Sequence, residues 1–89
     1  MQKLTDMPNI GKVVSQQLIE VGITTPAQLR EIGGKRAWLR ILEIDDSACY
    51  NRLCGLEGAV RGVRWRNLSE DVRRDLKVFY REAKNANKA

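Results

Sequence analysis

Residues 7–23 read MPNIGKVVSQQLIEVGI. Pro8, Asn9 and Gly11 punctuate the front of this stretch. Val13, Val14, Leu18, Ile19 and Val21 then recur at helical spacing, and Gly22 suits the left-handed position just past a helix end. A Pro/Gly turn feeding straight into an amphipathic helix is how a helix-hairpin-helix begins. The free N–H groups at the start of its second helix can hold a nucleic-acid phosphate. Here those groups belong to Ile10, Gly11, Lys12 and Val13, with the Lys12 ammonium as the nearby cation. The other reading is a tight corner between two short helices, with no ligand. Where strong hairpins carry G-h-G, this chain has Asn9-Ile10-Gly11. Asparagine tolerates a left-handed backbone, so the turn survives, while close approach of a phosphate at that position is weakened.

Upstream, Leu4 to Met7 has room for about one helical turn before Pro8. Downstream, Thr25-Pro26-Ala27-Gln28 is a helix start: Thr25 as N-cap, Pro26 at the first helical position, and Gln28 completing a capping box. That helix presents Ala27, Leu29 and Ile32 before Gly33-Gly34 breaks it. A further helix over about residues 35–42 presents Trp38, Ile41 and Leu42 on one face, with Lys35, Arg36 and Arg40 outward.

Asp45, Asp46 and Ser47 suit the N-terminus of the next helix, whose seam is Cys49, Leu53, Leu56, Val60 and Val63. Gly55, Gly58 and Gly62 interrupt it. Because Gly55, Ala59 and Gly62 fall on one stripe, a neighbouring helix is expected to approach closely there. Residues 63–68 read as a turn. Ser69 caps a last helix with Val72, Leu76, Phe79 and Ala83 on its apolar face, and residues 85–89 are expected to fray. No segment alternates with period 2, so the expectation is an all-α compact bundle of about five helices.

Eighty-nine residues suffice for one domain, 1–89. The chain is 43% hydrophobic and 30% charged, and no apolar run approaches the roughly 20 residues of a membrane span. Without a signal-peptide h-region at the N-terminus, a cytoplasmic location is expected. Cys49 and Cys54, on one helix, would point about 140° apart, which disfavours a local disulfide and makes both thiols small core residues. Residues 1–60 hold seven basic and seven acidic side chains. Residues 61–89 hold nine and four, and thus the whole net charge of +5. An excess so concentrated suits an acidic partner, or simply a solvated helix face.

With no histidine, Ser-His-Asp and Cys-His nucleophile systems are excluded. The paired carboxylates Asp45/Asp46 and Glu70/Asp71 sit where helix capping accounts for them, and no phosphate-loop or nucleophile-elbow pattern occurs. The chain therefore reads as non-enzymatic, with no cofactor and no metal site. Arg73, Lys77, Tyr80, Arg81 and Lys84 share a side of the last helix, next to Arg64 and Arg66 in the preceding turn, with Glu70–Arg74 offsetting some of the repulsion. Such a set could give salt-dependent, non-specific phosphate affinity. Trp38 and Trp65 read as core anchors.

The patterns L-x-x-M-P-N-I-G-K-V over Leu4–Val13, I-T-T-P-A-Q-L over Ile23–Leu29 and L-E-G-A-V-R-G-V-R-W over Leu56–Trp65 together resemble the C-terminal domain of TfoX/Sxy proteins. The match covers about residues 3–80, and the last pattern is its most specific part. The resemblance implies helix-hairpin-helix-like (SAM-like) packing. It also implies a part in regulating natural competence, where the family acts as a coactivator with the cyclic-AMP receptor protein at promoters. Longer members carry an N-terminal α/β domain for which 89 residues leave no space. Two functions follow. In the first, Gly11 and Lys12 hold one DNA phosphate while Arg64, Arg66, Arg73, Lys77, Arg81 and Lys84 track the backbone. In the second, the basic face serves as an adaptor for a transcription-machinery protein, or the glycine stripe mediates self-association, without direct DNA binding.

Overall fold

Short local runs set several helix ends, and five α-helices result among the described residues. In the computed structural model, which describes residues 3–87 (Asn87 in its backbone alone), a 3-10 turn at Leu4–Asp6 leads into α1 (Lys12–Glu20). There follow α2 (Pro26–Ile32), α3 (Gly34–Ile44), α4 (Tyr50–Arg61), a second 3-10 turn at Trp65–Asn67 and α5 (Glu70–Asn87). The described residues form a compact, all-helical globule with a radius of gyration of 12.2 Å. Among them no helix is long and apolar enough to cross a membrane.

The end of α1 is closed by the Ile23 amide donating to Leu18 O (2.8 Å) and the Gly22 amide to Ile19 O (3.0 Å). This Schellman pairing brings Leu18 and Ile23, both fully buried, together across the turn. Thr25 caps α2 as expected, its hydroxyl accepting from the Gln28 amide (3.1 Å). The Gln28 carboxamide closes the loop one residue earlier than a standard capping box, accepting from the Thr24 amide (2.7 Å).

Trp38 on α3 is the centre of the core, fully buried with Ile41 beside it. Its indole N–H donates to Cys49 O (3.2 Å), and its ring meets Phe79 edge-on at 6.1 Å and Tyr80 at 5.6 Å. Tyr80 in turn meets Tyr50 at 5.8 Å, so aromatic contacts link α3, α4 and α5. Leu53, Cys54, Leu56 and Ala59 supply the α4 layer, and Leu76 that of α5.

Three local expectations are corrected. The Asp45–Ser47 stretch does not start a helix: Asp45 terminates α3 and accepts from both the Ser47 amide and hydroxyl, an Asx turn, and α4 begins at Tyr50. Cys49 is therefore the exposed residue before α4 rather than a core position, while Cys54 is buried; both are free thiols. Arg74 pairs with Asp71 (3.7 Å) rather than Glu70. Helix α5 continues through Asn85 and Ala86 to Asn87; residues 88 and 89, the rest of the stretch expected to fray, lie outside the described residues.

The glycine stripe is also used differently. A close helix–helix approach is at Gly34 of α3, where a Cβ would lie 2.7 Å from the Glu57 Cα of α4. Gly55 and Gly58 face the 7–11 loop instead: a Cβ on Gly58 would lie 2.7 Å from Asn9 Nδ2 and 2.8 Å from Val63 O. Gly62, at φ +76°, ends α4, with the Val63 amide donating to Gly58 O (2.9 Å). Gly55 and Ala59 of the stripe are buried inside one chain, while Gly62 is exposed.

Candidate nucleic-acid interface

The hairpin loop is held by one side chain. Asn9 adopts φ +68°, the left-handed conformation its residue type tolerates. Its carboxamide makes three bonds across more than half the chain. Nδ2 donates to Val63 O (2.9 Å) and Gly55 O (3.3 Å), and Oδ1 accepts from the Trp65 amide (3.1 Å). A glycine at this position could make none of them. The loop is thereby clamped to the end of α4 and to the second 3-10 turn.

The clamp carries the N-terminus of α1 and the arginines of the 3-10 turn on one rigid unit. Gly11 is the exposed N-cap, with nothing within 4 Å of the place a Cβ would occupy. Ser15 donates to Gly11 O (2.9 Å), so the N–H groups of Lys12, Val13 and Val14 belong to the open first turn. Ile10, expected to add its own N–H to a phosphate cradle, instead donates to Met7 O (3.4 Å). Lys12 is exposed.

Arg64 lines a concavity of about 420 Å³ together with the loop residues from Thr5 to Gly11. It also joins Arg66, Arg52, Asn9 and Trp65 around an adjoining groove of about 660 Å³, between the hairpin and the second 3-10 turn. The Arg66 guanidinium lies 5.6 Å over the Trp65 ring. Arg52 entered the sequence reading only as a charge. It bonds to Asp45 (3.0 Å) and Gln17 (3.3 Å), and it forms the inner wall of this groove. Asp45 accepts from Ser47, Gln17 and Arg52, and these donors, with Ser47 the largest contributor, hold its carboxyl far below the usual carboxylate range.

The basic residues of α5 form a separate surface. Arg73 and Lys77 line a shallow concavity with Tyr50, Glu70 and Arg74, where the Tyr50 hydroxyl donates to Arg73 O (2.9 Å). Arg81 is exposed farther along the helix. Lys84 turns inward: its ammonium donates to Asp46 O (2.6 Å) and lies 5.8 Å from the Tyr80 ring, so it is engaged in holding α5 to the α3–α4 connection.

Among the described residues the ion pairs are Lys35–Asp75, Arg52–Asp45, Arg61–Glu57 and Arg74–Asp71. None includes Lys12, Arg64, Arg66, Arg73, Lys77 or Arg81. Among the described residues these six cationic side chains have no carboxylate partner at ion-pair distance.

Residues 1–80 match the TfoX C-terminal domain family. Over 75 residues the chain is 33% identical to Protein Sxy of Escherichia coli (strain K12), covering 84% of this chain and 36% of that protein. The chain thus spans about a third of the length of that curated relative. Two crystal forms from Listeria monocytogenes share the fold closely. The triclinic form, of an uncharacterized protein, has a TM-score of 0.90 at 48% identity, covering 91% of this chain and 92% of that one. The tetragonal form, of a protein of unknown function, has a TM-score of 0.88 at 49% identity, covering 90% and 99%. By its sequence match, and in a fold shared with both crystal forms, this chain belongs to the TfoX C-terminal domain family.

Proposed function

We propose that this domain is a non-enzymatic DNA-backbone-binding module, working in transcription regulation of the kind the TfoX/Sxy resemblance implies. In this reading the hairpin is the helix-hairpin-helix phosphate site. One phosphate sits on the open N–H groups after Gly11, beside Lys12 and Arg64. Arg66 meets the next, and Arg73, Lys77 and Arg81 provide a second line of contact along α5. The observation that carries the reading is that Arg64, which has no carboxylate partner among the described residues, lines the same concavity as Gly11. A helix N-terminus, a mobile cation and a fixed backbone corner converge there, the combination that phosphate recognition uses. Lys84, tied to Asp46, contributes least.

An exposed apolar patch around Val63, Trp65 or Tyr80 would favour the adaptor alternative; all three side chains are partly buried against the core.

Titration with duplex DNA at low and then higher salt tests the proposal. Binding should weaken steeply with salt, and Lys12→Gln and Arg64→Gln should each lower the salt slope by about one. Undetectable binding at low ionic strength, or binding indifferent to salt, overturns it.

A further inference from the structure

The groove between the hairpin and the second 3-10 turn has features that contact with a duplex backbone leaves unused. Phosphates ask only for cations and N–H groups. This groove is also lined by the partly buried Val14 and Trp65, beside Arg64, Arg66 and Arg52. At about 660 Å³ it lies in the size range of small-ligand clefts. The Trp65 ring and the Arg66 guanidinium, 5.6 Å apart, are the two kinds of flat surface on which nucleobases stack. In a duplex both faces of each base are already stacked on neighbours, so such a platform is useful only to a base that is unpaired. The same clamp that fixes the phosphate corner, Asn9 to the Trp65 amide, fixes this platform next to it.

We infer that the groove holds an unpaired nucleotide of single-stranded DNA, with its base against the Trp65–Arg66 pair and its flanking phosphate on Arg64. The domain then prefers single strands, or the melted part of a duplex, to intact double helix. This rests on the DNA-binding reading above and specifies its substrate.

The test compares a short oligothymidylate, a duplex of the same length and a polyphosphate of matched charge on the whole chain, following tryptophan emission. The oligothymidylate should bind about tenfold more tightly than either competitor and quench emission. Trp38 is fully buried, so the quenching should come from Trp65. Trp65→Phe should abolish the quenching and weaken oligothymidylate binding by about threefold or more, the smaller ring still offering a face for stacking. If the duplex or the polyphosphate binds as tightly as the single strand, or if the single strand binds without quenching, the inference falls while the backbone-binding reading stands. If no DNA binds at low salt, the backbone-binding reading falls and takes the inference with it.

Discussion

Asn9 and Trp65 are joined by a hydrogen bond of 3.1 Å, from the Trp65 amide to the Asn9 carboxamide oxygen, across 56 positions of sequence. The same side chain's Nδ2 also binds Val63 O and Gly55 O, so one residue fixes the loop before α1 to the turn before α5. The position where the sequence pattern departs from a glycine-rich hairpin is thus a structural brace. What the loop loses in closeness to a ligand it gains in rigidity.

Replacing Asn9 separates its two contributions. Asn9→Gly keeps the left-handed turn but removes three hydrogen bonds and leaves the part-buried Val63 carbonyl and Trp65 amide without that partner. It should cost about 2 kcal/mol or more. Asn9→Ala loses the same bonds and adds the left-handed penalty of about 1 kcal/mol. Urea unfolding should therefore rank wild type above Asn9→Gly, and Asn9→Gly above Asn9→Ala. Equal stability of all three would show that the brace carries no load.

The glycines give a second ranking. Alanine at Gly34 meets backbone of α4 at 2.7 Å, and alanine at Gly58 meets Val63 O at 2.8 Å, contacts that can be relieved only by moving backbone. Both substitutions should destabilise by about 1–3 kcal/mol in thermal or urea unfolding. Gly11→Ala has open space and an ordinary φ of −94°, so its cost should stay within about 1 kcal/mol. Any loss of DNA affinity in Gly11→Ala is then a direct report on how closely a phosphate approaches the hairpin.

Signals that act over a few residues were legible in the sequence. The Thr25 cap with Pro26, the Gly22 stop, the Ser69 cap and the Trp38/Ile41/Leu42 face depend on neighbours within about a turn, and each is found. Asp45–Ser47 misled because the residues that cap helices are also those that form Asx turns; the choice was made by Gln17 and Arg52 converging on Asp45 from elsewhere. The stripe of Gly55, Ala59 and Gly62 misled: Gly55 makes only ordinary contact with the Asn9 loop and Gly62 has open space, while the tight approach is at Gly58, off the stripe, and comes from that loop rather than from a helix. At the candidate site the basic residues could be counted, while their partners could not. Lys84 with Asp46, Arg52 with Gln17 and Arg64 beside the hairpin are all long-range relations.

The two thiols should differ sharply in reactivity. Cys49 is exposed, whereas Cys54 is buried and its thiol is pushed up in pKa, chiefly by that burial. In native protein an aromatic disulfide reagent should modify Cys49 rapidly and Cys54 only after unfolding. Cys49→Ser should abolish the rapid phase and Cys54→Ser should leave it. Two rapid thiols in the native protein would mean that the α4 layer opens readily.

Asp45 should give the domain an acid-sensitive component of stability. Its folded-state pKa lies below the ordinary carboxylate value because Ser47, Gln17 and Arg52 all donate to the ionised form. The unfolded chain therefore binds this proton more readily than the folded one. The stabilisation is complete above the unfolded pKa of about 3.9 and declines as the pH falls from there toward the folded value. Asp45→Asn removes the titrating group. It should be less stable than wild type at neutral pH, since an amide replaces the acceptor of several charged or polar donors, and its unfolding midpoint should fall less between about pH 5 and pH 3. Parallel pH profiles for wild type and Asp45→Asn would assign the acid sensitivity to other carboxylates and leave the Asp45 cluster without an energetic role.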